Sequence, residues 1–236
     1  KEYLDLNLTT PPKFVWVQTS AEAREVLNTV VGIDMVISMY NVGDKDILNL
    51  ASDLKEERPH LPFVLLTHFS KEVYRRLAQQ NTSAIDYMFS WHGNADLIVA
   101  IIKLFEDIKN SDHDINEVGV QAILLVEDNV RYYSTYLPEL YKMILKQSAE
   151  FLKETLNEQQ RKVMKRSRPK MLLATNLDDA MAIYEKYKSN LLGVISDVGF
   201  TVHKDEGIDK EKLDAGIDLV KHIRKDDPMM PILLQS

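Results

Sequence analysis

Short apolar runs alternate with stretches of helical periodicity along most of the chain, the pattern of an α/β protein built on parallel sheets. In the first half, strands are predicted at residues 14–17, 35–38, 63–66 and 84–88, with helices over 21–30, 45–57, 71–80 and 96–109. The last of these places Leu97, Ile98, Ile101, Ile102 and Phe105 on one face, which should pack on a sheet. Asn110-Ser111-Asp112-His113-Asp114 then breaks the pattern and reads as a boundary. The second half opens on Ala122-Ile123-Leu124-Leu125-Val126, a continuous apolar run suited to a central parallel strand. A long helix is predicted over 132–168, with Pro138 in its first turn or at a kink and Pro169 ending it. Strands at 171–174, 192–196 and 232–234 and helices over 177–188 and 215–225 complete the reading.

The two halves can be laid over each other. Lys13-Phe14-Val15-Trp16 matches Lys170-Met171-Leu172-Leu173, and Val36-Ile37-Ser38-Met39 matches Val194-Ile195-Ser196-Asp197. Leu61-Pro62-Phe63-Val64-Leu65-Leu66-Thr67 matches Met230-Pro231-Ile232-Leu233-Leu234-Gln235-Ser236. The spacing between the copies widens along the chain, so the second copy carries an insertion, placed between Thr201 and Ala215. The first copy shows no counterpart of Ile123 to Asn129, and the second ends before any counterpart of residues 84–109. Further residues are therefore expected before Lys1 and after Ser236. The expected organisation is a first domain over 1–110, a linker over 111–119 and a second domain over 120–236.

Composition narrows the classes. Hydrophobic residues at 45% and charged residues at 28% are ordinary for a globular protein. No apolar run approaches the length of a membrane span, and the N-terminus does not resemble a signal peptide; a cytoplasmic protein without a membrane partner is expected. Cysteine is absent, which excludes disulfides, thiolate nucleophiles and cysteine-ligated metals. A net charge of -7 argues against nucleic acid as a partner, and the basic cluster from Arg161 to Lys170 reads as a solvated helix end. The six histidines lack metal-ligand spacing and read as surface residues, whereas Trp16 and Trp91, each beside a predicted strand, read as packing anchors.

The candidate chemistry is acidic. In parallel sheets functional groups gather at the carboxyl ends of the strands. Glu127 and Asp128 follow one apolar strand directly and Asp197 follows another. If those strands are neighbours, three carboxylates converge and repel, and a hard divalent cation such as Mg²⁺ resolves the repulsion. Asp197 beside such a cation would be a nucleophile toward an incoming phosphoryl group, and Ser236, ending the next strand, would hydrogen-bond that group. The alternative is that each acidic residue caps the helix that follows it.

Four motifs resemble the receiver domain of bacterial two-component response regulators: Ile123-Leu124-Leu125-Val126-Glu127-Asp128-Asn129, Val194-Ile195-Ser196-Asp197-Val198-Gly199-Phe200, the run from Gly216 to Arg224, and Pro231-Ile232-Leu233-Leu234-Gln235-Ser236. The resemblance implies two flavodoxin-like, three-layer α/β/α domains. It implies Asp197 as phosphoacceptor, Glu127, Asp128 and the Gly199 carbonyl as Mg²⁺ ligands beside it, and Ser236 as the switch residue. A sensor histidine kinase or phosphotransfer protein would supply the phosphoryl group, and an output domain outside this chain would be controlled. The family's lysine would lie beyond Ser236. The first copy is similar to a degenerate receiver, with Met39 at the acceptor position, Thr67 at the switch position and Ser90 in place of the lysine. The long helix and residues 194–200 are also similar to receiver regions preceding pyruvate phosphate dikinase-like domains.

Two other readings compete. Both copies could be unphosphorylated scaffolds that dock or homodimerise through the long helix, whose apolar positions exceed what one sheet needs. A Mg²⁺-dependent aspartyl-phosphate phosphatase would want an acidic residue two positions after its nucleophile, where this chain has Gly199.

Overall fold

The computed structural model describes residues 12–40, 45–68, 73, 77, 80–153, 168–204 and 210–236. They form a mixed α/β protein with two parallel sheets, distributed over two compact units that divide between Asn94 and Ala95.

The first unit holds α1 (Ser20–Thr29), β1 (Val36–Tyr40), α2 (Lys45–Glu57), β2 (Phe63–Thr67) and β3 (Tyr87–Ser90). Thr19 caps α1, its hydroxyl accepting the Glu22 N–H at 3.2 Å. The strands lie in the order β1-β2-β3, all parallel, and the central strand is buried along its length. β3 starts three residues later than the apolar run suggested. Before it, Asp86 accepts the Phe63 N–H at 2.6 Å and pairs with Lys55 at 2.8 Å, so its side chain ties β2 to α2. The helix expected over 71–80 falls largely outside the described residues; Val73 and Leu77 are helical and buried.

The strand expected at 14–17 does not form. Phe14 is 67% exposed and Trp16 86%, so Trp16 anchors no core. A strand needs a partner, and among the described residues none pairs with this segment. Its match in the second half, Lys170–Ala174, is a strand because Ala122–Val126 lies beside it.

The second unit begins with α3 (Ala95–Ser111), which continues directly into a π-helical turn, Asp112–Glu117. This differs from the expected linker over 111–119. Ile115 is fully buried in the core of this unit, and the polar residues around it are engaged. Asp112 pairs with Lys186 and accepts the Tyr187 hydroxyl, Asp114 pairs with Lys170, and Asn190 donates to the Ile115 carbonyl. Helix α3, expected at the end of the first domain, packs on elements of this unit.

Then follow β4 (Ala122–Val126), α4 (Val130–Lys153), β5 (Lys170–Ala174), α5 (Leu177–Tyr187), a 3₁₀ turn (Lys188–Asn190), β6 (Leu191–Asp197), α6 (Ala215–Asp226) and β7 (Ile232–Gln235). The long helix is described to Lys153, with Pro138 inside it; residues 154–167, which include most of the basic cluster, lie outside the described residues. All strands are parallel, in the order β5-β4-β6-β7. One side of the sheet, with Leu124, Val126, Leu172, Ala174 and Val194, shares a core with Ala180 and Tyr184 of α5 and Leu219 and Ile223 of α6. Leu125, Met171 and Leu173 alternate to the other side, and α3 packs on β5 and on α4.

Asp107 of α3 is fully buried and accepts hydrogen bonds from Arg168 Nη1 and Nη2 (2.9 and 2.7 Å), the Tyr141 hydroxyl (2.9 Å) and the Met171 N–H (3.0 Å). The Arg168 guanidinium also lies over the Tyr141 ring, 5.7 Å from its centroid. Burial, then the Asp107 charge, pushes the Tyr141 hydroxyl well above its ordinary pKa, so it remains a donor. This buried network joins α3, α4 and the start of β5.

Candidate functional site

The strand order makes β4 and β6 neighbours, with Val126 paired to Ser196. The residues after them therefore meet at one end of the sheet. Glu127, Asp128 and Asp197 each offer a carboxylate oxygen within 4.8 Å of the others, and among the described residues no other group of three acidic or histidine side chains comes together in this way.

Each carboxylate accepts a backbone N–H. Glu127 is 1% exposed; its Oε1 accepts the Asn129 N–H at 3.0 Å and its Oε2 accepts the Gln235 side-chain amide at 3.3 Å. Asp128 Oδ2 accepts the Thr201 N–H at 3.1 Å, and Asp197 Oδ1 accepts the Val198 N–H at 2.6 Å. Among the described residues, none of the three carboxylates accepts an N–H from the first turn of a following helix. At α4 Asn129 takes that part, accepting the Arg131 N–H at 3.1 Å. The capping alternative therefore does not describe these residues.

Electrostatics match the crowding. Burial first, then the charges of Asp197 and Asp128, raises Glu127 from 4.5 to about 7, against the opposing Asn129 and Gln235 hydrogen bonds. Burial also leads for Asp128, raised from 3.8 to about 6, with Glu211 and Asp197 adding like charge. Tyr136, one turn along α4 from Tyr132 and stacked on it at 6.1 Å, is raised by burial and by the Glu127 and Asp197 charges.

Two glycines allow close approach at the end of β6. A Cβ on Gly216, in the first turn of α6, would lie 2.2 Å from the Asp197 carbonyl oxygen and 3.0 Å from Val198 Cα. Its absence lets the Gly216 N–H donate to the Val198 carbonyl at 2.9 Å, drawing the helix start against the strand end. Gly199 lies two residues past Asp197, and a Cβ there would meet Glu211 Oε1 at 2.6 Å.

Three of the residues expected from sequence thus converge. Gly199 borders them. Ser236 is exposed and follows Gln235, which pairs with Asp197 across β6 and β7. Sequence reasoning missed Gln235, Thr201, Glu211 and Tyr136. Gln235 carried a usable signal, a polar residue closing the apolar strand Ile232-Leu233-Leu234, and Tyr136 sits one turn from Tyr132 in the helix after the acidic pair. Thr201 and Glu211 carried none, since their places depend on the path of the inserted loop. In the first unit, Thr67 and Ser90 end their strands and Met39 is the penultimate residue of β1; Thr67 and Ser90 are buried and paired in register.

No protein-family model, no curated protein and no solved structure matches this chain.

The site's donor set is entirely oxygen and its net charge is strongly negative. That suits a small hard divalent cation better than a soft or imidazole-preferring metal. Glu127, Asp128 and Asp197 are the side chains that would hold it.

Proposed function

We propose that this chain is a response-regulator receiver module that accepts a phosphoryl group on Asp197 from a sensor histidine kinase or phosphotransfer protein, in the cytoplasm, and relays it to an output domain. The observation that carries this reading is the convergence of Glu127, Asp128 and Asp197 at the carboxyl ends of adjacent parallel strands. The order β5-β4-β6-β7 supports it further. Numbered within the unit it is 2-1-3-4, the run expected of the flavodoxin-like fold, whose ligand site lies where strand order reverses.

A bound Mg²⁺ would neutralise charge on the carboxylates and on the phosphoryl oxygens. The protein's own residues then do the following. Val198 N–H fixes one oxygen of Asp197, and among the described residues the other accepts no hydrogen bond. That oxygen attacks phosphorus; the bond from phosphorus to the donor atom breaks, its electron pair leaves with the donor, and Asp197 carries an acyl phosphate. Gln235 and the Asn129 N–H orient Glu127, and the Thr201 N–H orients Asp128, so both carboxylates are placed before the donor arrives. Ser236 is the residue assigned to sense the phosphoryl group, and the first unit, with Met39 where Asp197 stands in the second, takes none.

The test is incubation of the full chain with Mg²⁺ and acetyl phosphate, read by intact mass. One added phosphoryl group is expected for the wild type and none for Asp197→Ala. Absence of the adduct in the wild type, or equal labelling of the variant, refutes the assignment.

A further inference from the structure

The loop inserted between β6 and α6 returns to the site. Phe200 and Lys212 exchange backbone hydrogen bonds in both directions, 3.3 and 3.0 Å, as an antiparallel bridge. This pins the returning strand of the loop beside the residues just past Asp197. The Glu211 side chain then reaches across to Gly199, with its Oε1 2.6 Å from the position a Cβ would take there. Gly199 leaves room for a carboxylate that any other residue would displace.

Glu211 brings charge to this place without a compensating cation. Among the described residues no lysine, arginine or histidine pairs with it, and the adjacent Lys212 is committed to Asp218 and Asp214. Three carboxylates with one divalent cation leave a formal charge of -1; a fourth carboxylate beside Gly199 makes it -2.

Resting on the phosphoacceptor reading above, we infer that Glu211 is an electrostatic gate, a carboxylate that slows phosphoryl transfer to Asp197 from small dianionic donors. Like charges separated by several ångströms at a solvated surface repel modestly, and the donor carries two. Removing one charge should raise the transfer rate roughly three- to tenfold at low ionic strength. The effect is screened by salt, because Glu211 is exposed.

The experiment compares the full wild-type chain with Glu211→Gln, which keeps shape and removes charge, at saturating Mg²⁺. Labelling rates are measured by intact mass with acetyl phosphate and with the less anionic donor phosphoramidate, each at low and high sodium chloride. The gate predicts faster labelling of Glu211→Gln by acetyl phosphate, an advantage that shrinks with salt and with phosphoramidate. Equal rates overturn the gate while leaving Asp197 as acceptor. Slower labelling of Glu211→Gln also overturns it, and makes Glu211 a ligand of the cation instead. If neither chain gains a phosphoryl group, the acceptor reading fails and the gate falls with it.

Discussion

Replacing Asp107 with alanine removes the centre of the buried network that joins α3, α4 and β5. The Arg168 side chain is 7% exposed and the Asp107 side chain 0%. The variant would leave a guanidinium with almost no access to water, a Tyr141 hydroxyl and a Met171 N–H without the acceptor they share. Breaking a buried ion pair by deleting one partner costs about 3–5 kcal/mol, and the two orphaned neutral donors place this site at the upper end of that range. At about 2–4 °C per kcal/mol for a chain of this size, the melting temperature should fall by roughly 10–20 °C. Urea unfolding of the full chain, followed by far-UV circular dichroism, measures the loss. A double-mutant cycle with Arg168→Ala isolates its cause. Arg168→Ala should be destabilising in the wild-type background, where it leaves Lys170 Nζ, at 3.7 Å, as the cation facing the buried Asp107 carboxylate, and much less so in the Asp107→Ala background. A loss below about 1 kcal/mol for Asp107→Ala, or costs that simply add in the double variant, would show that Asp107 does not hold these elements together.

Two further predictions concern the site. Glu127 and Asp128 bind protons more tightly folded than unfolded, with values of about 7 and about 6 against 4.5 and 3.8. In metal-free protein their contribution to stability is therefore fully present below the unfolded values and is lost as pH rises through the folded ones. The urea midpoint in EDTA should fall between about pH 4 and pH 7, and less steeply in Glu127→Gln. Because both protons must leave for a cation to bind, Mg²⁺ affinity should drop roughly a thousandfold from pH 8 to pH 5, with proton release seen by calorimetry in buffers of different ionisation enthalpy. A pH-independent affinity would contradict the geometry. Gly216→Ala should destabilise the chain by about 1–3 kcal/mol, although alanine favours helix, because its Cβ collides with the Asp197 carbonyl. It should also slow labelling of Asp197 by moving the end of β6. An unchanged or raised urea midpoint would refute this.

Much of the architecture was legible in the order of apolar runs. β2, β4, β5, β6 and β7 stand within a few residues of their predicted places, since a continuous apolar run flanked by helical periodicity has few other uses. The same signal misled at residues 14–17, where apolar residues without a partner strand stay exposed. It misled again at 111–119, where a polar run reads as a linker but its side chains pair with Lys170, Lys186 and Tyr187, and Asn190 donates to the carbonyl of the buried Ile115. At the site, the three carboxylates were legible because strand ends collect function in parallel sheets. Thr201 and Glu211 were not, because a loop's path is set by contacts remote in sequence.

The sequence alone determined which residues could serve, by placing Glu127 and Asp128 at the end of one apolar strand and Asp197 at the end of another, with Met39 at the matching place in the first half. It also determined the α/β class, because periodicity is local and each segment carries its own. Tertiary structure alone decided that β4 lies beside β6, so that residues about 70 apart share one site. It alone gave α3 to the second sheet through Asp107 and Arg168, 61 residues apart, and brought Glu211 over Gly199. The physical reason is the same in each case. Amphipathic patterning states which face of an element must be buried, but many neighbours satisfy that demand equally. Only strand pairing and matched buried charges select one arrangement among them.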